Sequence, residues 1–98
     1  MIYRALGNTG LQVSEIGLGC EGFTEQEGMG TYALVDAAAD AGINYFDLYS
    51  PDPNLRLHLG KALAGRRDQF IIQAHLCSVW KDGQYKRTRI LEEVQAGF

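Results

Sequence analysis

The chain has 98 residues, of which 46% are hydrophobic and 21% charged, and its formal net charge is -3. That composition fits one small globular domain. The mild acidity argues against nucleic acid as a partner. No apolar run approaches the ~18 residues of a membrane span, and the opening MIYRALGNTG lacks the apolar core of a secretory signal. Cys20 and Cys77 are the two cysteines. A disulfide between them stays open, but free thiols in a cytoplasmic protein are the expectation. Two thiolates are also too few for a four-cysteine iron–sulfur cluster, and no metal site is expected.

Residues 3–6 and 11–13 alternate apolar and polar around Gly7-Asn8-Thr9-Gly10, which predicts a β-hairpin. Residues 15–20 (EIGLGC) predict a short strand. The glycine-rich stretch 22–30 predicts a loop. From 31 to 41, Tyr32, Leu34, Val35, Ala38 and Ala39 fall at helical spacing, and Gly42 supplies the stop. Residues 43–47 predict the next strand. Asp52-Pro53 has the form of an N-cap followed by proline at the first helical position. Leu55, Leu59, Ala62 and Leu63 share one face of that helix, which Gly65 ends. Residues 70–77 (FIIQAHLC) are almost continuously apolar, as a buried parallel strand is. A polar loop, 78–88, then leads to a last helix from about Thr88 with Ile90, Leu91, Val94 and Phe98 as its apolar positions.

A hairpin followed by β-α-β-α-β-α predicts an α/β fold with parallel strands and right-handed crossovers. Two architectures compete for it. Gly17, Gly19 and Gly22 match G-x-G-x-x-G after a strand, and Asp47 lies at the next strand end, as in a dinucleotide-binding unit. That motif needs a helix starting directly after the glycines. Residues 23–29 show no apolar stripe, and the leading hairpin has no part in such a unit. The alternative is the first three βα units of a (β/α)8 barrel with a hairpin closing its bottom.

The segments YRALGNTGLQVSEIGLGC, AGINYFDLY, LGKALAGRRDQF and FIIQAHL resemble the N-terminal third of the aldo-keto reductases. The likeness runs through essentially all 98 residues. FDLYSPDP and the stretch from GRRDQF to KRTR further resemble a divergent bacterial and archaeal branch. Members of that branch often carry a ferredoxin-like iron–sulfur module at the far C-terminus. The resemblance implies hydride transfer between NADP(H) and a small carbonyl or alcohol substrate. A complete barrel takes roughly 250 residues, so residues 1–98 are expected to be the truncated N-terminal part of one barrel domain.

In carbonyl reduction the oxygen gains negative charge, so it needs a proton donor and preorganised hydrogen-bonding groups. The family uses Asp, Tyr, Lys and His. Asp47 matches the aspartate, at the strand end where barrel active sites lie; the bland reading is a strand-ending polar residue. The family tyrosine falls five residues later, where this chain has Asp52, already explained as an N-cap. Tyr49 is the nearby phenol, on the same strand face as Asp47 if the strand continues, and is a candidate acid or a packing residue. The family lysine position is occupied by His75, a core residue or a proton donor: a hydrogen bond to Asp47 would favour the protonated ring.

Gly19, Cys20 and Asp47 are the candidate cofactor contacts, since the loop after the first strand approaches the nicotinamide ribose in the family and glycine permits close backbone approach. Cys20 has no cationic neighbour to activate it as a nucleophile. Lys81, Lys86, Arg87 and Arg89, interleaved with Trp80 and Tyr85, form a rim that could grip an anionic substrate or a partner domain, or is simply solvated. The family histidine and most phosphate contacts lie in later barrel units. The isolated chain is therefore expected to be inactive and marginally stable, and its open sheet edges to invite self-association. A non-catalytic half-barrel with a binding or assembly role is the alternative.

Overall fold

The computed structural model describes residues 1–25, 29–49, 52–76 and 78–96. β1 (Tyr3–Ala5) and β2 (Gln12–Ser14) form the expected hairpin, pairing Tyr3 with Ser14 and Ala5 with Gln12. β3 (Leu18–Gly19), β4 (Tyr45–Leu48) and β5 (Ile71–Ala74) form a three-stranded parallel sheet in the order β3-β4-β5. α1 (Met29–Asp40) connects the first two strands, and α2 (Pro53–Ala62) connects the second and third. The sheet and its crossovers form three units of an incomplete (β/α)8 barrel.

Local sequence explains the helix ends. Asp52 caps α2 by accepting a 2.9 Å hydrogen bond from the Asn54 backbone N–H, with Pro53 at the first position. α1 ends where Gly42 takes φ +85, and the Gly42 and Ile43 amides bond back to the Ala39 and Ala38 carbonyls. Three of the four α2 apolar positions lie on the helix itself and all four are buried: Leu55, Leu59, Ala62 and Leu63. In α1, Val35 and Ala38 are buried and Tyr32 and Ala39 pack against them, but Leu34 faces solvent.

These helices cover one face of the sheet. Phe46 and Leu48 of β4 join Cys20, Phe23, Val35, Leu55, Leu59, Leu63 and Phe70 in a single core, with the Phe46 and Phe70 rings stacked 5.2 Å apart. Arg66 ties the helices together: it pairs with Asp36, donates to the Ala62 carbonyl and lies 5.9 Å over the Phe70 ring. At the N-terminal end of the sheet Asn44 fastens the hairpin. Its side chain accepts from the Ser14 N–H at 2.8 Å and donates to the Gln12 carbonyl at 2.8 Å, while Tyr3 donates to the Gly42 carbonyl. The hairpin thus sits at the bottom, as expected.

Three expectations need correction. Part of the glycine-rich stretch is not loop: Glu21–Glu25 forms a 3-10 turn, and α1 already starts at Met29. The polar stretch after the third strand is a second hairpin, β6 (Ser78–Lys81) and β7 (Gln84–Arg87). Its turn is Asp82-Gly83, both at positive φ, +55 and +70, the two-residue turn that matches the twist of the flanking strands. The last helix, α3 (Leu91–Ala96), starts later than expected and buries no described residue; Ile90 and Leu91 are exposed. Polar contacts hold it instead, with Lys81 donating to Glu93 at 2.8 Å and Thr88 bonded to the same carboxylate. Phe98 and Cys77 lie outside the described residues.

Two outcomes follow from this core. Phe46 is fully buried, so Phe46→Ala should cost about 3–5 kcal/mol, a large part of the roughly 5–15 kcal/mol available to a domain, read as a collapse of the urea midpoint. Burial first, and the Asp47 charge second, push the Cys20 thiol up from 9.0 to about 11. The thiolate is the reactive form, and two units leave about 100-fold less of it at neutral pH. Alkylation mapped by mass spectrometry should therefore find Cys20 labelled at least that much more slowly than an exposed thiol.

Candidate active site at the C-terminal end of the sheet

Side chains alternate between the two faces of a strand. Since Phe46 and Leu48 point into the helix-covered core, Tyr45, Asp47 and Tyr49 occupy the opposite face, which in a closed barrel is the interior. The parallel register pairs Gly19 with Asp47 and Asp47 with Gln73. Side chains on this face therefore stack in rows: Gly17, Tyr45 and Ile71 lowest, then Gly19, Asp47 and Gln73, then Tyr49 and His75 at the mouth.

Asp47 and His75 meet across adjacent rows, with Nε2 of His75 2.6 Å from Oδ1 of Asp47. Their side chains are 39% and 34% exposed, so the pair sits at the mouth and is neither buried nor fully solvated. Tyr49 stands edge-on to the imidazole, ring centroids 5.0 Å apart at 83°. The three sequence-predicted catalytic candidates are thus brought together. Asp52 is committed to capping α2, as expected.

The cofactor candidates divide. Gly19 is exposed beside Asp47, and a Cβ placed there would meet nothing within 4 Å. The chain's own packing therefore leaves room against this backbone. Cys20 is different: its side chain lies wholly in the core, its N–H donates to the Asp47 carbonyl at 2.9 Å, and its carbonyl accepts from Phe23. It anchors the strand end and turns no free group toward the mouth. The glycine motif Gly17, Gly19, Gly22 is followed by a 3-10 turn rather than a helix, so the dinucleotide-binding geometry of a helix N-terminus is not built here. Gly17 has a packing role, because a Cβ there would come within 2.8 Å of the Tyr45 ring.

Sequence reading passed over two residues on this face. Tyr45 donates its hydroxyl to Oε1 of Gln73, and Nε2 of Gln73 lies 3.4 Å from Nε2 of His75. Their signal was spacing by two: Tyr45, Asp47, Tyr49 on one strand and Gln73, His75 on the next. On the rim, Lys81 and Lys86 are paired with Glu93 and Asp82, so half of the basic cluster is already neutralised, while Arg87 and Arg89 are exposed. Among the described residues no group of three metal-ligating side chains occurs, and no helix is long and apolar enough to cross a membrane.

No protein-family model matches the chain. It is 34% identical over 83 residues to YqkF, an uncharacterized oxidoreductase of Bacillus subtilis, covering 82% of this chain and 26% of that protein. Two solved Pseudomonas aeruginosa structures, provisionally assigned as aldo-keto reductases, superpose on 98% of the chain. One has a TM-score of 0.82 at 28% identity, the other 0.80 at 30%. The chain spans about a quarter of the Bacillus relative and under two fifths of each Pseudomonas chain. In sequence and fold together the chain is similar to the N-terminal part of an aldo-keto reductase barrel.

Proposed function

We propose that the chain is the N-terminal part of an NADP(H)-dependent oxidoreductase acting on a small carbonyl or alcohol, in which Asp47 and His75 handle the proton. The observation that carries this reading is the 2.6 Å contact between them at the C-terminal end of parallel strands, where barrel active sites lie. The bound nicotinamide would supply or accept the hydride. The exposed backbone at Gly19 is the surface of this chain that would lie against it.

The protein's part follows from the imidazole. An ionised carboxylate only accepts hydrogen bonds, so the short contact puts a proton on Nε2 and fixes the ring. Nδ1 is then the nitrogen available to a substrate. As carbonyl oxygen gains negative charge, a protonated Nδ1 gives up its proton; in alcohol oxidation Nδ1 receives it. Asp47 holds the ring through both directions, and Tyr49 packs against its flank. The proton is thus handled where the family uses tyrosine and lysine, but by a different pair. The family histidine and the phosphate contacts belong to later units, so the 98 residues alone are proposed to be inactive.

In the complete barrel, Asp47→Asn and His75→Ala should each lower NADPH-dependent carbonyl reduction by about 100-fold or more, the range of a positioned acid–base group. Tyr49→Phe keeps the ring contact and should stay within several-fold of the parent. Unchanged kcat/KM in both the Asp47 and His75 variants would sink the pair.

A second reading is favoured by the sheet. The outer edges of β3 and β5 have no strand partner among the described residues, and such edges template further pairing. The isolated chain should therefore self-associate with rising concentration, seen as a growing mass in light scattering after gel filtration. A monomer of constant mass that melts cooperatively would refute this.

A further inference from the structure

Nε2 of His75 faces two groups with opposite demands. Asp47, 2.6 Å away, offers an acceptor. Gln73, 3.4 Å away, offers the nitrogen of its amide, a donor. The amide's other end, Oε1, is taken by the Tyr45 hydroxyl, one row below. A tyrosine hydroxyl donating to Oε1 holds the NH2 group toward the imidazole and keeps the amide oxygen away from it. The shorter contact decides the present state: the Nε2 proton goes to Asp47, and the Gln73 amide stands at the margin of hydrogen-bonding distance.

Resting on the Asp47–His75 pair proposed above, we propose that Gln73, oriented by Tyr45, is a positioning residue that sets the tautomer of His75 once Asp47 no longer accepts the Nε2 proton. Because Gln73 gives Nε2 no acceptor, Asp47 alone holds the proton there. When the acceptor at Asp47 is lost, the Gln73 N–H is the neighbour that remains, and it stabilises a bare Nε2 with the proton on Nδ1. The two residues thus tie the protonation of the mouth-facing nitrogen to the charge on Asp47. Tyr45 acts at one remove, through the direction of the amide. Gln73 lies on the face that the helices leave uncovered, beside His75.

The test is heteronuclear NMR of the histidine rings in the complete barrel at a mildly alkaline pH, with the His75 signals assigned by their loss in His75→Ala. The 98 residues hold two histidines, and His58 on α2 serves as an internal reference. In the parent, Nε2 of His75 should carry the pyrrole-type 15N signal. In Asp47→Ala the pyrrole-type and pyridine-type signals should exchange positions, so that Nδ1 carries the proton. Adding Gln73→Glu to Asp47→Ala restores an acceptor in the same place and should return the proton to Nε2. Adding Tyr45→Phe frees the amide to turn its oxygen to the ring and should do the same.

An Asp47→Ala chain that keeps the proton on Nε2 overturns the role of Gln73, as does an exchange of signals that persists unchanged with Gln73→Glu. Should Asp47→Ala prove unfolded by its amide dispersion, Asp47→Leu carries the same comparison, and Gln73→Met alone, with Asp47 intact, should leave Nε2 protonated. A parent chain in which Nε2 of His75 is already bare instead removes the Asp47–His75 pair itself, and so is distinguishable from a failure confined to Gln73.

Discussion

The alternation of β4 is the constraint on which the rest of the molecule depends. Four residues, Tyr45–Leu48, must serve two environments at once. Phe46 and Leu48 go into the helix-covered core, and the pleat then forces Tyr45 and Asp47 to the other face. A slip of one residue would bury Asp47 among Val35, Leu55 and Phe70 and expose Phe46. Burying an unpaired carboxylate in that apolar cluster would cost several kcal/mol. The hydrophobic core therefore fixes the register, and the register places the polar residues in rows at the strand ends. Stability and site geometry are set by the same choice.

Most of the architecture was legible because its signals are local. The Asp52-Pro53 cap, the Gly42 stop and the α2 stripe of Leu55, Leu59 and Leu63 each follow from a physical rule acting within one turn. The barrel assignment came from the order of elements together with the family resemblance. The second hairpin was missed although Asp82-Gly83 announces its turn, because the flanking SVWK and QYKR look polar and no core face could be read from them. The last helix starts later than the apolar positions from Ile90 onward suggest, because Ile90 and Leu91 stay exposed and supply no packing that would extend it toward Thr88. In the structure that helix is tied by Glu93 to Lys81 and Thr88, contacts between residues far from helical spacing.

At the site, Asp47, Tyr49 and His75 were found from position on strands, yet the arrangement among them depends on strand pairing. Only the register Asp47–Gln73 shows that His75 stands one row above Asp47 rather than beside it. Gln73 and Tyr45 gave no chemical signal of their own: a glutamine and a tyrosine at alternate strand positions suit any solvated sheet face. Their contribution becomes visible when Tyr45 is seen to spend its hydroxyl on Gln73.

Stability gives little reason for this cluster to exist. A carboxylate–imidazole contact this exposed contributes on the order of 0–1 kcal/mol after solvent screening. Ordering four polar side chains in rows costs comparable conformational entropy. Arg66 with Asp36, or Lys81 with Glu93, join separate elements and so have a structural use. Asp47 sits on β4 and His75 directly after β5, strands already joined by backbone hydrogen bonds, and their contact fastens nothing further. What it does accomplish is directional: it fixes one imidazole nitrogen and leaves the other available at the open end of the sheet. A geometry that orients a proton without supporting the fold accords with the role proposed for the pair, at the exposed mouth of three parallel strands.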